Sequence, residues 1–149
     1  MSSDPGARKQ GNVGAMAAGK PLAEALASLA RSFTSETGIR VSFQSSVKSP
    51  LPLSTEAELY RITEEALNNI RQHARAHSAS IRLEDHRKRL RLSIADDGTG
   101  MIRRSKQGER HGIVGMRERA ALIGGTLRIT SGKSRGTTVI VSAPVDEAS

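Results

Sequence analysis

The sequence predicts an α+β fold, a two-layer α/β sandwich with a mixed sheet covered on one face by helices. Apolar residues recur at helical spacing in three separate segments. Alternating strand patterns fall between them, and Gly or Pro punctuates the junctions. The first helix spans residues 21 to about 36, with Leu22, Leu26, Leu29, Ala30 and Phe33 on one face and Gly38 ending it. Ile39, Val41 and Phe43 alternate as a strand, and Lys48, Pro50 and Pro52 mark a loop. A second helix begins near Ser54 and Thr55 and ends near Ala76, its stripe formed by Leu59, Ile62, Ala66, Ile70 and Ala74. Residues 80–84 and 90–95 make a hairpin. A third helix opens at His111 and Gly112, carries Ile113, Met116, Ala120 and Ile123 inward, and stops at Gly124 and Gly125. Residues 127–130 pair with 138–142.

Composition narrows the function classes. The chain of 149 residues is 36% hydrophobic, enough for one core. No apolar stretch reaches even fifteen residues, so no membrane span is predicted. Without cysteine there is no disulfide framework, thiolate metal site or cysteine nucleophile, and a cytoplasmic setting is the economical expectation. Residues 1–20 are expected to be a disordered leader and 146–149 a tail. The formal charge of +8 raises nucleic-acid binding, but the aromatic set is only Phe33, Phe43 and Tyr60, too few for a stacking platform. Direct nucleic-acid binding is therefore not expected. The run from Gly14 to Lys20 imitates a phosphate-binding loop. Pro21 stands where that loop needs Ser or Thr, and no strand precedes it.

Three motifs carry chemistry. Asp96-Asp97-Gly98-Thr99-Gly100 follows a strand; its acid can accept from an exocyclic amine, and its glycines let backbone approach a ligand. An ordinary tight turn is the competing reading. On the second helix Glu65, Asn69 and His73 stand at i, i+4 and i+8, a polar row beside the apolar stripe. An amide oxygen there is a hard ligand of the kind Mg²⁺ accepts; a solvated helix face is the alternative. His111-Gly112-Ile113-Val114-Gly115 opens the third helix, where unpaired backbone N–H groups can receive phosphate. Before it, Arg103, Arg104, Lys106 and Arg110 read as a basic lid or as a solvated loop.

In this order, closed by Gly136-Thr137-Thr138, the motifs resemble the ATP-binding catalytic domain of two-component sensor histidine kinases over residues 21–145. The match extends to Met116-Arg117-Glu118-Arg119 and to the subgroup whose response regulators carry a DNA-binding helix-turn-helix output domain. The resemblance implies a Bergerat-type fold with ATP and Mg²⁺ as cofactors. It also implies roles: Asn69 as metal ligand, Asp96 on the adenine amino group, and Glu65 as the carboxylate that activates the nucleophile. Gly98 and Gly100 would shape the adenine pocket, with His111, Gly112, Ile113, Val114 and Gly115 at the lid hinge. Thr137 would reach the base or its bridging water, with Thr138 and His73 also in the ATP site. Gln72 departs from the family's usual cation three residues after the asparagine, which removes one phosphate contact.

The histidines are His73, His77, His86 and His111, none placed as a phosphoacceptor on a dimerising helix. The implied partners are therefore a dimerisation domain bearing that histidine, in cis or in trans, and a response regulator. An anti-sigma-type serine kinase on the same fold is the main rival, although the Met-Arg-Glu-Arg segment suits it less. A non-catalytic nucleotide-binding or interaction module is the other. ATPases of the gyrase and mismatch-repair branch need a transducer domain, for which there is no room.

Overall fold

A computed structural model describes residues 21–48, 50–98, 107–132 and 136–145, with the side chains of 73, 74, 86, 107–111 and 132 left aside. The expected leader 1–20, the tail 146–149, Gly100, the basic stretch 101–106 and the side chains of His73 and His111 lie outside what is described.

The elements in order are α1 (Leu22–Thr37), β1 (Arg40–Ser45), α2 (Leu53–Asn69), a π-helical turn (Ile70–Ala74), β2 (Ser78–His86), β3 (Arg89–Asp96), α3 (Gln107–Leu122), β4 (Thr126–Gly132) and β5 (Gly136–Pro144). The strands form one sheet in the order β1-β2-β3-β5-β4. Only β1 and β2 are parallel; the other pairs are antiparallel, so the sheet is mixed as expected. Alternation decides which face is covered. Ile81 and Leu83 of β2, Leu90, Leu92 and Ile94 of β3, and Val139 and Val141 of β5 are buried against the helices. Leu26, Leu59, Ile62, Leu67 and Met116 meet them from the other side.

Local chemistry sets the boundaries. Pro21 and Pro52 precede α1 and α2 in extended conformation, which fixes the chain's angle of entry. At the end of α1, Gly38 turns left-handed (φ 80°) and donates to the Thr34 carbonyl at 2.8 Å. The Thr34 hydroxyl then accepts from Val41 N–H at 3.1 Å, tying helix to strand. The β2–β3 turn places Arg87 (φ 54°) and Lys88 (φ 66°) in positive φ, the backbone of a type I′ turn built without glycine. α3 closes when Gly125 N–H reaches the Ala120 carbonyl at 2.8 Å.

Two helical expectations need correction. The α-helical part of α2 stops at Asn69, and the wider turn Ile70–Ala74 follows, ending at left-handed Arg75 (φ 53°). Wider winding breaks the 3.6-residue period after Asn69. The third helix starts at Gln107, earlier than expected. Gly112 thus sits inside the helix, where its N–H is engaged by helical bonding, and it is not an open anion receptor at a helix start.

Candidate functional site

Asp96 is the last residue of β3, on the covered face with Leu92 and Ile94, and only 8% exposed. Its Oδ1 accepts from the Gly98 N–H at 2.7 Å, and the carboxyl also accepts from the Thr137 N–H. Burial pushes the carboxyl above its ordinary value. The two backbone donors oppose this, and the neighbouring Asp97 charge adds to the rise. Gly136 packs directly beneath. A Cβ there would overlap the Asp96 carbonyl and come within 2.8 Å of its Oδ1, and φ is 73°. The glycine of Gly-Thr-Thr therefore makes room for the acid.

Asp97, adjacent in sequence, does different work. Its Oδ1 accepts from the backbone of His77 (2.8 Å) and Ser78 (3.0 Å), and its Oδ2 accepts from the Ser78 hydroxyl (3.0 Å). The Ser78 and His77 N–H groups, aided by that hydroxyl, hold its carboxyl below the ordinary range. Asp97 pins the start of β2, leaving Asp96 as the acid turned toward the helices.

Asn69 closes α2 and is 6% exposed, with its Nδ2 buried and without a hydrogen-bond partner. A buried amide left unpaired costs about 1–3 kcal/mol, so the site is chemically unfinished in the protein alone. Asn69, at the end of α2, and Asp96, at the end of β3, are both buried. An amide offers an oxygen to a cation and N–H groups to phosphate, which fits these residues to a magnesium nucleotide.

Glu65, Gly112 and Gly115 form a second group. They line a groove of about 370 Å³ between α2 and α3, together with Arg61, Glu64, Asn68, Met116 and Arg119. A Cβ at Gly112 would meet the tip of the flexible Glu65 side chain, which would have to swing aside. Arg119 Nη1 meets Glu58 Oε1 at 2.9 Å and locks the same pair farther along. Arg117 donates to the Leu127 carbonyl at 2.9 Å. Both arginines of Met-Arg-Glu-Arg thus brace α3 in place.

Consecutive helical residues fan around the axis, so the hinge set divides. Ile113 packs against the core, while Val114 is 51% exposed on the outside of α3. Strand alternation divides the Thr pair. Thr137 is 5% exposed on the covered face and approaches the Ser131 hydroxyl at 3.3 Å, whereas Thr138, paired with Ala95, projects from the opposite face. Of the two threonines expected at the ATP site, Thr137 thus has its side chain on the helix-covered face and Thr138 on the other. Sequence reasoning missed Glu56, which is 7% exposed and accepts from the Leu22 N–H at 3.2 Å, capping α1 from a different helix. Burial raises its carboxyl above the ordinary value, partly offset by that bond. An acid in the first turn of α2 gave no hint of a partner 34 residues away.

Residues 54–147 match the family described as histidine kinase-, DNA gyrase B- and HSP90-like ATPase. The histidine-protein kinase/phosphatase DegS of Brevibacillus brevis is 34% identical over 116 residues, covering 77% of this chain and 30% of DegS. Sensor histidine kinase LiaS of Bacillus subtilis is 30% identical over 127 residues, covering 85% of this chain and 35% of LiaS. The chain thus spans about a third of these relatives' length. Among solved structures, the histidine kinase domain of the Erythrobacter litoralis EL346 blue-light activated kinase superposes with a TM-score of 0.67 at 25% identity, covering 85% of this chain and 62% of that one. The Acinetobacter baumannii kinase AdeS gives 0.65 at 11% identity, over 85% and 64%, and speaks for the fold alone. The chain belongs to the histidine kinase-, DNA gyrase B- and HSP90-like ATPase family, as an ATP-binding catalytic domain of the sensor histidine kinase type.

Proposed function

We propose that this domain binds Mg-ATP between the buried Asn69 and Asp96, and passes the γ-phosphoryl group to a histidine on a helical dimerisation domain. The phosphoryl group then moves to a response regulator. The unpartnered Nδ2 of Asn69 carries this reading, because among the described residues it is the buried side-chain polar atom that the protein alone leaves unsatisfied. Asn69 contributes its carboxamide oxygen to Mg²⁺, and Asp96 accepts from the adenine amino group. The Asp96 carboxyl, raised by burial, accepts more strongly once ionised. Glu65, at the mouth of the α2–α3 groove, accepts the N–H of the incoming imidazole, leaving the other ring nitrogen's lone pair free for phosphorus. Bound Mg²⁺ supplies charge neutralisation for the phosphates. Positioning is the remainder of the protein's contribution. The Met116–Arg119 segment supports the finer reading of a regulator with a DNA-binding output domain, and a cytoplasmic setting follows from that role.

Thermal unfolding with Mg-ATP, with ATP plus chelator and with Mg-GTP tests the reading. At a hundredfold excess over Kd, Mg-ATP should stabilise the fold by about 2.7 kcal/mol, and the other two by much less. An unchanged midpoint with Mg-ATP refutes nucleotide binding. Phosphotransfer to a helical hairpin bearing an exposed histidine should give an acid-labile product. An acid-stable phosphoserine on a protein substrate would favour the serine kinase instead.

A further inference from the structure

The sheet face turned away from the helices gathers cations that are scattered in the sequence. Arg40 of β1, Arg82 of β2, Arg89 and Arg91 of β3, and Arg128 of β4 all occupy its outward positions and are exposed. The register makes them one surface: Arg82 lies opposite Ser93, Ser93 opposite Ile140, and Ile140 opposite Arg128. Among the described residues Glu84 is the one outward acid, 3.9 Å from Arg82. Most of the other outward positions are short Ser and Thr side chains, which leave the guanidinium groups standing clear. Arg89 is already held in place, its Nε and Nη2 donating to the Ser142 hydroxyl at 3.2 and 3.0 Å.

We propose that this face docks an acidic protein surface, a cluster of Asp and Glu carboxylates, at a site separate from that of the nucleotide. Guanidinium forks match carboxylates in paired hydrogen bonds, and every described cation on the strand positions is Arg. Glu84 in the middle of the patch repels a uniform polyanion such as a bilayer or a duplex, but it can meet a cation within a mixed protein surface. Among its described side chains the face has no Phe, Tyr or Trp for bases to stack on. Five strands about 4.8 Å apart span roughly 20 Å, so the area falls below the ~800 Å² per partner of a stable complex and suits a transient contact.

The test measures binding of the full chain to a Glu-rich random Glu/Lys copolymer at low salt, beside a short DNA duplex and phosphatidylglycerol vesicles of matched charge. The expected result is preference for the mixed copolymer and at least tenfold weaker binding by Arg82→Gln/Arg91→Gln/Arg128→Gln, with the urea midpoint unchanged. Arg31→Gln/Arg61→Gln/Arg75→Gln removes equal charge from the helical side and should bind nearly as the parent does. An equal loss in both variants would reduce the effect to net charge and overturn the proposal. Preference for duplex or vesicles, or wild-type binding by the first variant, overturns it as well.

Discussion

Replacing Asn69 by leucine should make the protein more stable and functionally inert. Nδ2 is buried without a partner, and an unmade buried hydrogen bond costs about 1–3 kcal/mol. Leucine has a similar branched shape without the polar atoms, so Asn69→Leu is expected to gain about that amount in the absence of ligand. Mg-ATP at a thousandfold excess over Kd then stabilises the wild type by about 4.1 kcal/mol and the variant by nothing. The order of stability therefore reverses when nucleotide is added. Urea unfolding of both proteins, with and without Mg-ATP, reads the reversal as shifted midpoints at constant slope. Asn69→Ala, which cannot crowd the site, should lose the nucleotide response equally. The reasoning fails if Asn69→Leu is less stable than wild type without ligand by more than about 1 kcal/mol, since the amide would then be satisfied. It fails too if either variant still responds to Mg-ATP.

Gly136→Ala should cost about 2–4 kcal/mol, because φ is 73° and the new Cβ would overlap Asp96 backbone; a midpoint shift equivalent to under ~0.5 kcal/mol would refute that packing. Burial raises the folded-state Asp96 carboxyl above its unfolded value, so its contribution to stability is full below the ordinary carboxyl range and is lost as pH rises through the raised one. Ionisation over that same window should strengthen preference for ATP over GTP. Asp96→Asn is expected to flatten the preference and make the stability slope shallower, as measured by thermal shift at stepped pH. Asp97→Ala frees the start of β2 and should lower the unfolding midpoint with the ATP/GTP preference unchanged; a lost preference would mean that the two acids had been assigned in reverse.

Much of this was legible before folding, because periodicity is a local property. The stripe Leu59, Ile62, Ala66 and Ile70 appears as the buried side of α2 and its π turn, and Leu90, Leu92 and Ile94 appear as the buried side of β3. Asp96 could be placed at a strand end from its neighbours alone. The two acids of Asp-Asp-Gly could not be told apart, because what separates them is the backbone of residues 77 and 78 on another strand. Gly112 looked like a helix opener because the segment before it has few apolar residues to signal helix. It sits instead within the helix, facing the Glu65 side chain of the neighbouring helix.

The sequence by itself determined the element order, the apolar faces and the residue types able to meet a magnesium nucleotide, since each depends on neighbours within one or two turns. Tertiary structure alone decided that Asn69 is buried unpaired, that Thr137 and Thr138 part to opposite faces, that Glu56 caps a helix other than its own, and that five distant arginines share one surface. Those outcomes depend on strand register and helix packing between segments far apart in the chain, and no local pattern records which distant atoms will supply, or withhold, a partner.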